Sequence, residues 1–172
     1  MTSISGQDRG PLIAASILLG IGLGGFVDGI VFHQIFQLHN MLSAKYPVTS
    51  LLNAEVNMFW DGVFHAMTWL TTLLGLVMLW RALGRKEVPH CTRTFAGSMV
   101  LGWGAFNLVE GLIDHQLLGI HHVVENGNHL LWDLTFIACS VLLIAIGWAL
   151  IRSNERGNVR VSPGGMRRAR SM

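Results

Sequence analysis

Val27–His39 reads VDGIVFHQIFQLH, and Val109–His121 reads VEGLIDHQLLGIH. At this offset of 82 residues Val, Gly, His, Gln and His recur unchanged, while Asp28 is replaced by Glu110. Most other positions exchange one apolar residue for another. Self-similarity at this separation points to an internal duplication. Downstream, residues 57–61 read NMFWD and residues 129–133 read HLLWD, now at an offset of 72 because the second loop is shorter. Each repeat is therefore expected to be a helical hairpin. Two such hairpins share one topology and should be related by a pseudo-two-fold axis along a membrane normal.

The membrane enters through composition. Of 172 residues, 51% are hydrophobic and 13% charged, and a spanning helix needs about 20 apolar residues. Four stretches qualify, at about 11–39, 54–83, 92–121 and 128–152, and lipid obliges each backbone to satisfy its own hydrogen bonds as a helix. A soluble bundle is disfavoured because tracts such as Val141–Ile151 have no polar face. No small-x-small cleavage site follows the first apolar run, which reads as an uncleaved span and not a signal peptide. The expected fold is all-α: a polytopic four-helix membrane bundle of two tandem hairpins. The transmembrane domain is expected over residues 1–152, with repeat one at about 11–83 and repeat two at about 92–152.

Among 12 Lys and Arg residues, only Lys45 falls in the loops joining helices 1 to 2 or 3 to 4. Arg9, Arg81, Arg85, Lys86, Arg93 and the arginines after residue 151 all lie toward the other side. The positive-inside rule then places both termini in the cytoplasm, in the cell inner membrane. Residues 153–172 read as a disordered basic tail suited to anionic lipid. No aromatic residues are interleaved with its arginines, so nucleic acid is not an expected partner. The partners expected are the bilayer and, compatible with it, another membrane protein or a second copy. Cys91 and Cys139 form no disulfide framework, and His90–Cys91 is a weak metal signal. Gly20, Gly24, Gly25 and Gly29, with Gly97, Gly102, Gly104 and Gly111, mark close helix packing.

Ionisable groups are costly within a bilayer and face a protein interior or wet cavity. Each span here carries a carboxylate and a histidine: Asp28 with His33, Asp61 with His65, Glu110 with His115, and His129 with Asp133. A helical rise of ~1.5 Å per residue places His33 ~9 Å below His39 and Asp28 ~16 Å below it. Asp61 then comes level with His33, His65 with Asp28, and His115 with Asp133. Asp28/His33 and Glu110/His115 are five apart, which is about 140° around an α-helix, so their meeting requires a distortion near Gly29 and Gly111. The candidate metal ligands are Asp28, His33, Asp61, His65, Glu110, Asp114, His115, His129 and Asp133, with His39, His121 and His122 further toward the outer surface. Ile137 stands where His65 stands in repeat one, and Asp114 replaces Phe32, so a single asymmetric site is expected.

Imidazole and carboxylate ligands on separate helices suit zinc, copper, iron or manganese. Proton or ion conduction and a purely structural polar network are the competing readings. Haem held between His33 and His115 ranks below a bare ion, since it has no use for the acids at that height. Trp60, Trp132, Trp80 and Trp148 read as interfacial aromatics. No phosphate loop, nucleophile elbow or zinc-protease helix is present.

The run GGFVDGIVFHQIFQLHNML, followed by FWDGVFHA, VEGLIDHQLLGIHHV and NHLLWDL, resembles domain-of-unknown-function family 2243, a family of small bacterial membrane proteins. The resemblance covers nearly all four helices and implies a multi-span membrane protein without an assigned activity. The family pattern carries a His where Ile137 stands, and this departure counts against a fully symmetric site. The family's association with cytochrome oxidase assembly genes implies copper or respiratory metal handling. The expected function is metal binding near the outer face, as an accessory in metal handling or respiratory oxidase assembly. The alternatives are a metal-dependent membrane oxidoreductase or hydrolase acting on a lipid or small molecule, and a structural protein without metal.

Overall fold

The computed structural model describes residues 8–125 and 127–160, with side chains as far as Ser153. Its described residues are helical, with loops and no strands. Helix α1 spans Gly10–Val27 and continues as a π-helix, π1, over Asp28–Ile35. Helix α2 spans Leu51–Leu83. Helix α3, Thr92–Glu110, runs into a second π-helix, π2, at Gly111–Leu118, and α4 spans His129–Arg160. Four helices are long and apolar enough to cross a membrane: Gly10–Ile35, Leu51–Leu83, Thr92–Leu118 and His129–Ser153. The expected basic tail falls partly on the end of α4, and residues 161–172 lie outside the described ones.

Local chemistry sets the helix starts. Pro11 occupies the first turn of α1, where a missing N–H costs nothing. Ser50 caps α2, its Oγ accepting from Asn53 N at 3.2 Å. Within the spans, Thr68, Thr72 and Ser140 return their hydroxyls to main-chain carbonyls of their own helix, as an apolar surround requires.

The helices pack in the order α2–α1–α3–α4. Helix α1 packs on α2 and α3, and α3 on α1 and α4; the backbone of α2 comes close to neither α3 nor α4, although Phe64 reaches Phe106 of α3, and the backbones of α1 and α4 stay apart. The inner spans are 44% and 33% buried, the outer two only 11%. Leu70, Leu74 and Trp80 on α2, and Leu134, Leu142 and Trp148 on α4, are left exposed for lipid. The arrangement is thus more open than a closed bundle.

Glycine makes the central crossing. A Cβ at Gly20 would collide with the Met99 carbonyl, and one at Gly102 with the Ile17 carbonyl. These two contacts are related by the same 82-residue offset. Gly75 lies against Leu19 as Gly147 lies against Leu101. Gly102→Val should therefore destabilise the fold by about 1–3 kcal/mol in SDS-titration unfolding. Gly62, with open space around its Cα, should accept alanine without loss.

A candidate metal centre

Two π-helices solve the five-residue spacing. Hydrogen bonding from i to i+5 stacks residues five apart, and Phe36 N donates to Val31 O at 2.8 Å accordingly. Asp28 Oδ2 thereby lies 3.1 Å from His33 Nε2. Just beyond each π-helix the chain turns through a left-handed residue, Gln37 (φ 50°) in one half and Gly119 (φ 54°) in the other. Glycine takes this conformation freely; glutamine pays about 1–2 kcal/mol for it. The turn folds each following loop back over the helix ends. His39 and His121, expected near a surface, are consequently buried at 2% and 0% exposure.

The two loops lock one another. His39 Nδ1 donates to Val123 O at 3.0 Å, and His121 Nδ1 donates to Met41 O at 3.1 Å. Their rings stack with centroids 4.8 Å apart and planes 3° apart. His33 meets the His39 ring at 4.5 Å and 71°; His115 meets His121 at 4.8 Å and 76°. Donor atoms of His33, His39, Glu110 and His121 all lie within 4.8 Å of one another. Among the described residues they form the one such group of three or more potential metal ligands. Asp28 flanks it, 3.9 Å from His39 Nε2, and Glu110 Oε1 lies 3.5 Å from His121 Nε2.

Three of the four imidazoles have a ring nitrogen committed to a hydrogen bond. His33 Nδ1 is held by Asp61 Oδ1 at 2.9 Å, and His115 Nδ1 lies 3.4 Å from Asp133 Oδ1. The Nε2 atoms of His39 and His121, both ring nitrogens of His115 and Glu110 Oε2 are buried without a hydrogen-bond partner, while His33 Nε2 and Asp28 Oδ2 have each other at 3.1 Å. Carbonyls only accept, so in a neutral ring at His39 or His121 the proton sits on Nδ1 and a lone pair on Nε2. Burial opposes a second proton: it pushes His39 down to about 4 and His121 well below the usual histidine range. Both loops thus present lone pairs to a closed interior where no protein donor meets them.

Asp61 and Asp133 are supporting groups. Asp61 accepts from His33, from Gln34 Nε2 at 3.3 Å, from Asn40 Nδ2 at 2.8 Å and from Met41 N at 2.8 Å. Asp133 accepts from Gln116 Nε2 at 3.3 Å, His122 Nδ1 at 2.7 Å and Val123 N at 3.0 Å. Gln34 and Gln116, repeated unchanged beside the histidines, were the sequence signal for this role. Carboxylates that orient ligand imidazoles are the usual second layer of a metal site.

Not every expected residue converges. His65 lies at the anticipated height, but its Nδ1 bonds Asp61 O at 2.6 Å and its Nε2 packs against Gly29. Asp114 is half-buried and has no side-chain partner among the described residues. His122 and His129 stack on each other at 4.5 Å, outside the buried group. His90 bonds Leu83 O, and Cys91 and Cys139 are not joined in a disulfide. A haem plane would need a flat slot between His33 and His115, and the His39–His121 stack occupies that space.

Fold and site define an all-helical membrane protein with a buried His/carboxylate cluster. The chain belongs to the family described as predicted membrane protein (DUF2243), whose profile matches residues 15–154. No curated protein and no solved structure matches it significantly.

In metal-free protein, His39 should stay neutral until the pH falls to about 4, as read by ¹⁵N chemical shifts of its ring. The unfolded chain takes this proton near 6.5. His39 therefore contributes a loss of stability as pH falls from 6.5 towards 4. A midpoint above 6 would contradict the closed environment.

Proposed function

We propose that this protein is a multi-pass protein of a bacterial inner membrane that binds a transition-metal ion, zinc, copper or iron, and serves metal handling or respiratory oxidase assembly. One observation carries the reading: His39 and His121, turned inward by their Nδ1 bonds, present buried Nε2 atoms that, like Glu110 Oε2 beside them, no protein donor meets. Leaving a buried polar group unsatisfied costs about 1–3 kcal/mol each, a cost that a bound cation removes. The donor set of three histidines and one glutamate suits borderline metals such as these.

The proposal includes tandem duplication and cytoplasmic termini. Paired contacts support the first: Gly20 on Met99 matches Gly102 on Ile17, and Gln34–Asp61 matches Gln116–Asp133. The arginines and lysines flanking the α2–α3 connection support the second. The cluster then lies towards the outer face. A second reading, a metal-dependent membrane enzyme, is favoured by a cavity of about 290 Å³ beside the cluster, lined by Gly24, Asp28, Trp103, Asn107, Trp132 and Cys139. It opens where α1 and α4 do not touch, as access from lipid would require.

Detergent-purified protein exposed separately to Zn²⁺, Cu²⁺ and Fe²⁺ and then desalted should retain one of them stoichiometrically by elemental analysis. His121→Ala should lose that binding, Asp61→Asn should weaken it about 10–100-fold, and His65→Ala should keep it. A wild-type protein that retains none of these metals would overturn the proposal. For orientation, in a background lacking Cys91 and Cys139, Ser50→Cys should react with an impermeant maleimide from outside intact cells. Arg85→Cys should react only after permeabilisation.

A further inference from the structure

Asp133 joins two histidines that differ in exposure. Its Oδ1 lies 3.4 Å from His115 Nδ1 inside the cluster region, and its Oδ2 accepts from His122 Nδ1 at 2.7 Å. His115 is buried, whereas the His122 side chain is 21% exposed. Because the carboxylate takes the proton side of the His122 ring, the lone pair of Nε2 is left for another partner. This is the same presentation the buried histidines use.

His122 lines a polar cleft of about 540 Å³, together with His39, Asn40, Ser43, Glu125 and His129. The exposed His129 ring lies 4.5 Å from that of His122, with planes 26° apart. Glu125 Oε1 is steadied by Ser43 Oγ at 2.6 Å and His122 N at 3.2 Å. His39 reaches both places, for it borders the cleft while its Nε2 belongs to the buried group.

The other half of the molecule carries amides at the matching positions. Asn40 stands where repeat two has His122, and Asn57 where it has His129. Asn40 Nδ2 donates to Asp61 at 2.8 Å, just as His122 donates to Asp133. Asn57 is 1% exposed, accepting from Leu42 N and donating to Tyr46 O and Asn53 O. A supporting amide does the structural work in that half without a metal-binding nitrogen. In the second half imidazoles stand in place of the two amides, and both of them line the cleft.

We infer that His122 and His129, with Glu125 in the same cleft and their donor atoms more widely spaced than those of the buried group, form a loading site, where a divalent transition-metal ion first binds before passing by way of His39 into the buried cluster. The inference rests on the metal-binding reading. Two imidazoles and a carboxylate can capture a borderline cation. The negative charge of Glu125 at a cleft mouth raises the local cation concentration and the rate of capture. The site is shallow enough to release the ion inward, whereas the buried group holds it.

The test is the rate of uptake of Co²⁺, whose visible absorption reports an ordered ligand set, by metal-free full-length protein in nanodiscs under stopped flow. His122→Asn combined with His129→Asn installs the residues the other half already carries and retains a donor for Asp133. This variant should reach the wild-type end-point absorbance, which also shows that it folds, but load about tenfold or more slowly. Glu125→Gln alone should slow loading by a smaller factor. Unchanged rates in both variants would overturn the inference. So would a lower end-point at an unchanged rate, which would make these residues holding ligands. Wild-type protein that takes up no Co²⁺ would overturn the metal reading itself, an outcome distinct from either.

Discussion

Two imidazole N–H groups donate to main-chain carbonyls across the midline, His39 to Val123 and His121 to Met41. Everything else about the site follows from that exchange. It ties each loop to its counterpart, and further backbone bonds from Ala44 to Ile120 and from Glu125 to Leu38 continue the seam. It also chooses the tautomer, so both Nε2 atoms carry lone pairs into the interior. The exchange is reachable only because π1 and π2 end in left-handed residues that fold the loops back. Those π-helices, in turn, lie above the glycine crossing that lets α1 and α3 come within backbone contact.

The cost of this arrangement limits what it can be for. Folded domains are stable by about 5–15 kcal/mol in total, and an unmet buried acceptor removes about 1–3 kcal/mol of that. A purely structural network would be expected to satisfy its own members, as Asp61 is satisfied by four donors. Here Asp61 and Asp133 are well supplied with donors, whereas His39 Nε2, His121 Nε2 and Glu110 Oε2 have no partner. The contrast lies within a few ångströms in one structure, so general looseness of packing does not explain it.

How much of this was legible in the sequence depends on which coordinate is asked for. Height along a helix follows from a fixed rise per residue, so Asp61 level with His33 and Asp133 level with His115 could be read directly. The five-residue Asp28/His33 spacing was readable as a demand for distortion, and π1 supplies it. Rotation about the helix axis is set by neighbours, which the apolar run does not encode. His65 therefore had the right height but turns onto its own helix and Gly29. His39 and His121 were assigned to the periphery because loop reversal is a tertiary event. Gly119 hinted at the left-handed turn, and Gln37, doing the same work, gave no hint.

The exchange of His65 for Ile137 can now be given a physical meaning. In sequence it looked like a lost ligand, and hence a reason to expect an asymmetric metal centre. In the structure His65 packs against Gly29, and Ile137 packs against Gly111, the residues near or at the start of each π-helix. Both side chains fill the same kind of space, and neither reaches the cluster. The buried cluster and its neighbours keep their pairs: His33 with His115, His39 with His121, and Asp28 with Glu110. Exchanges that alter chemistry lie outside it. Phe106 stands where the first half has Gly24, stacking on Phe64 at 6.0 Å, while Gly24 borders the open cavity between α1 and α4. Asn40 and Asn57 hold one loop with amides where His122 and His129 place imidazoles in the other. On the proposed duplication, the exchanges gather around the approach to the cluster, while the buried His and carboxylate positions keep their side-chain chemistry.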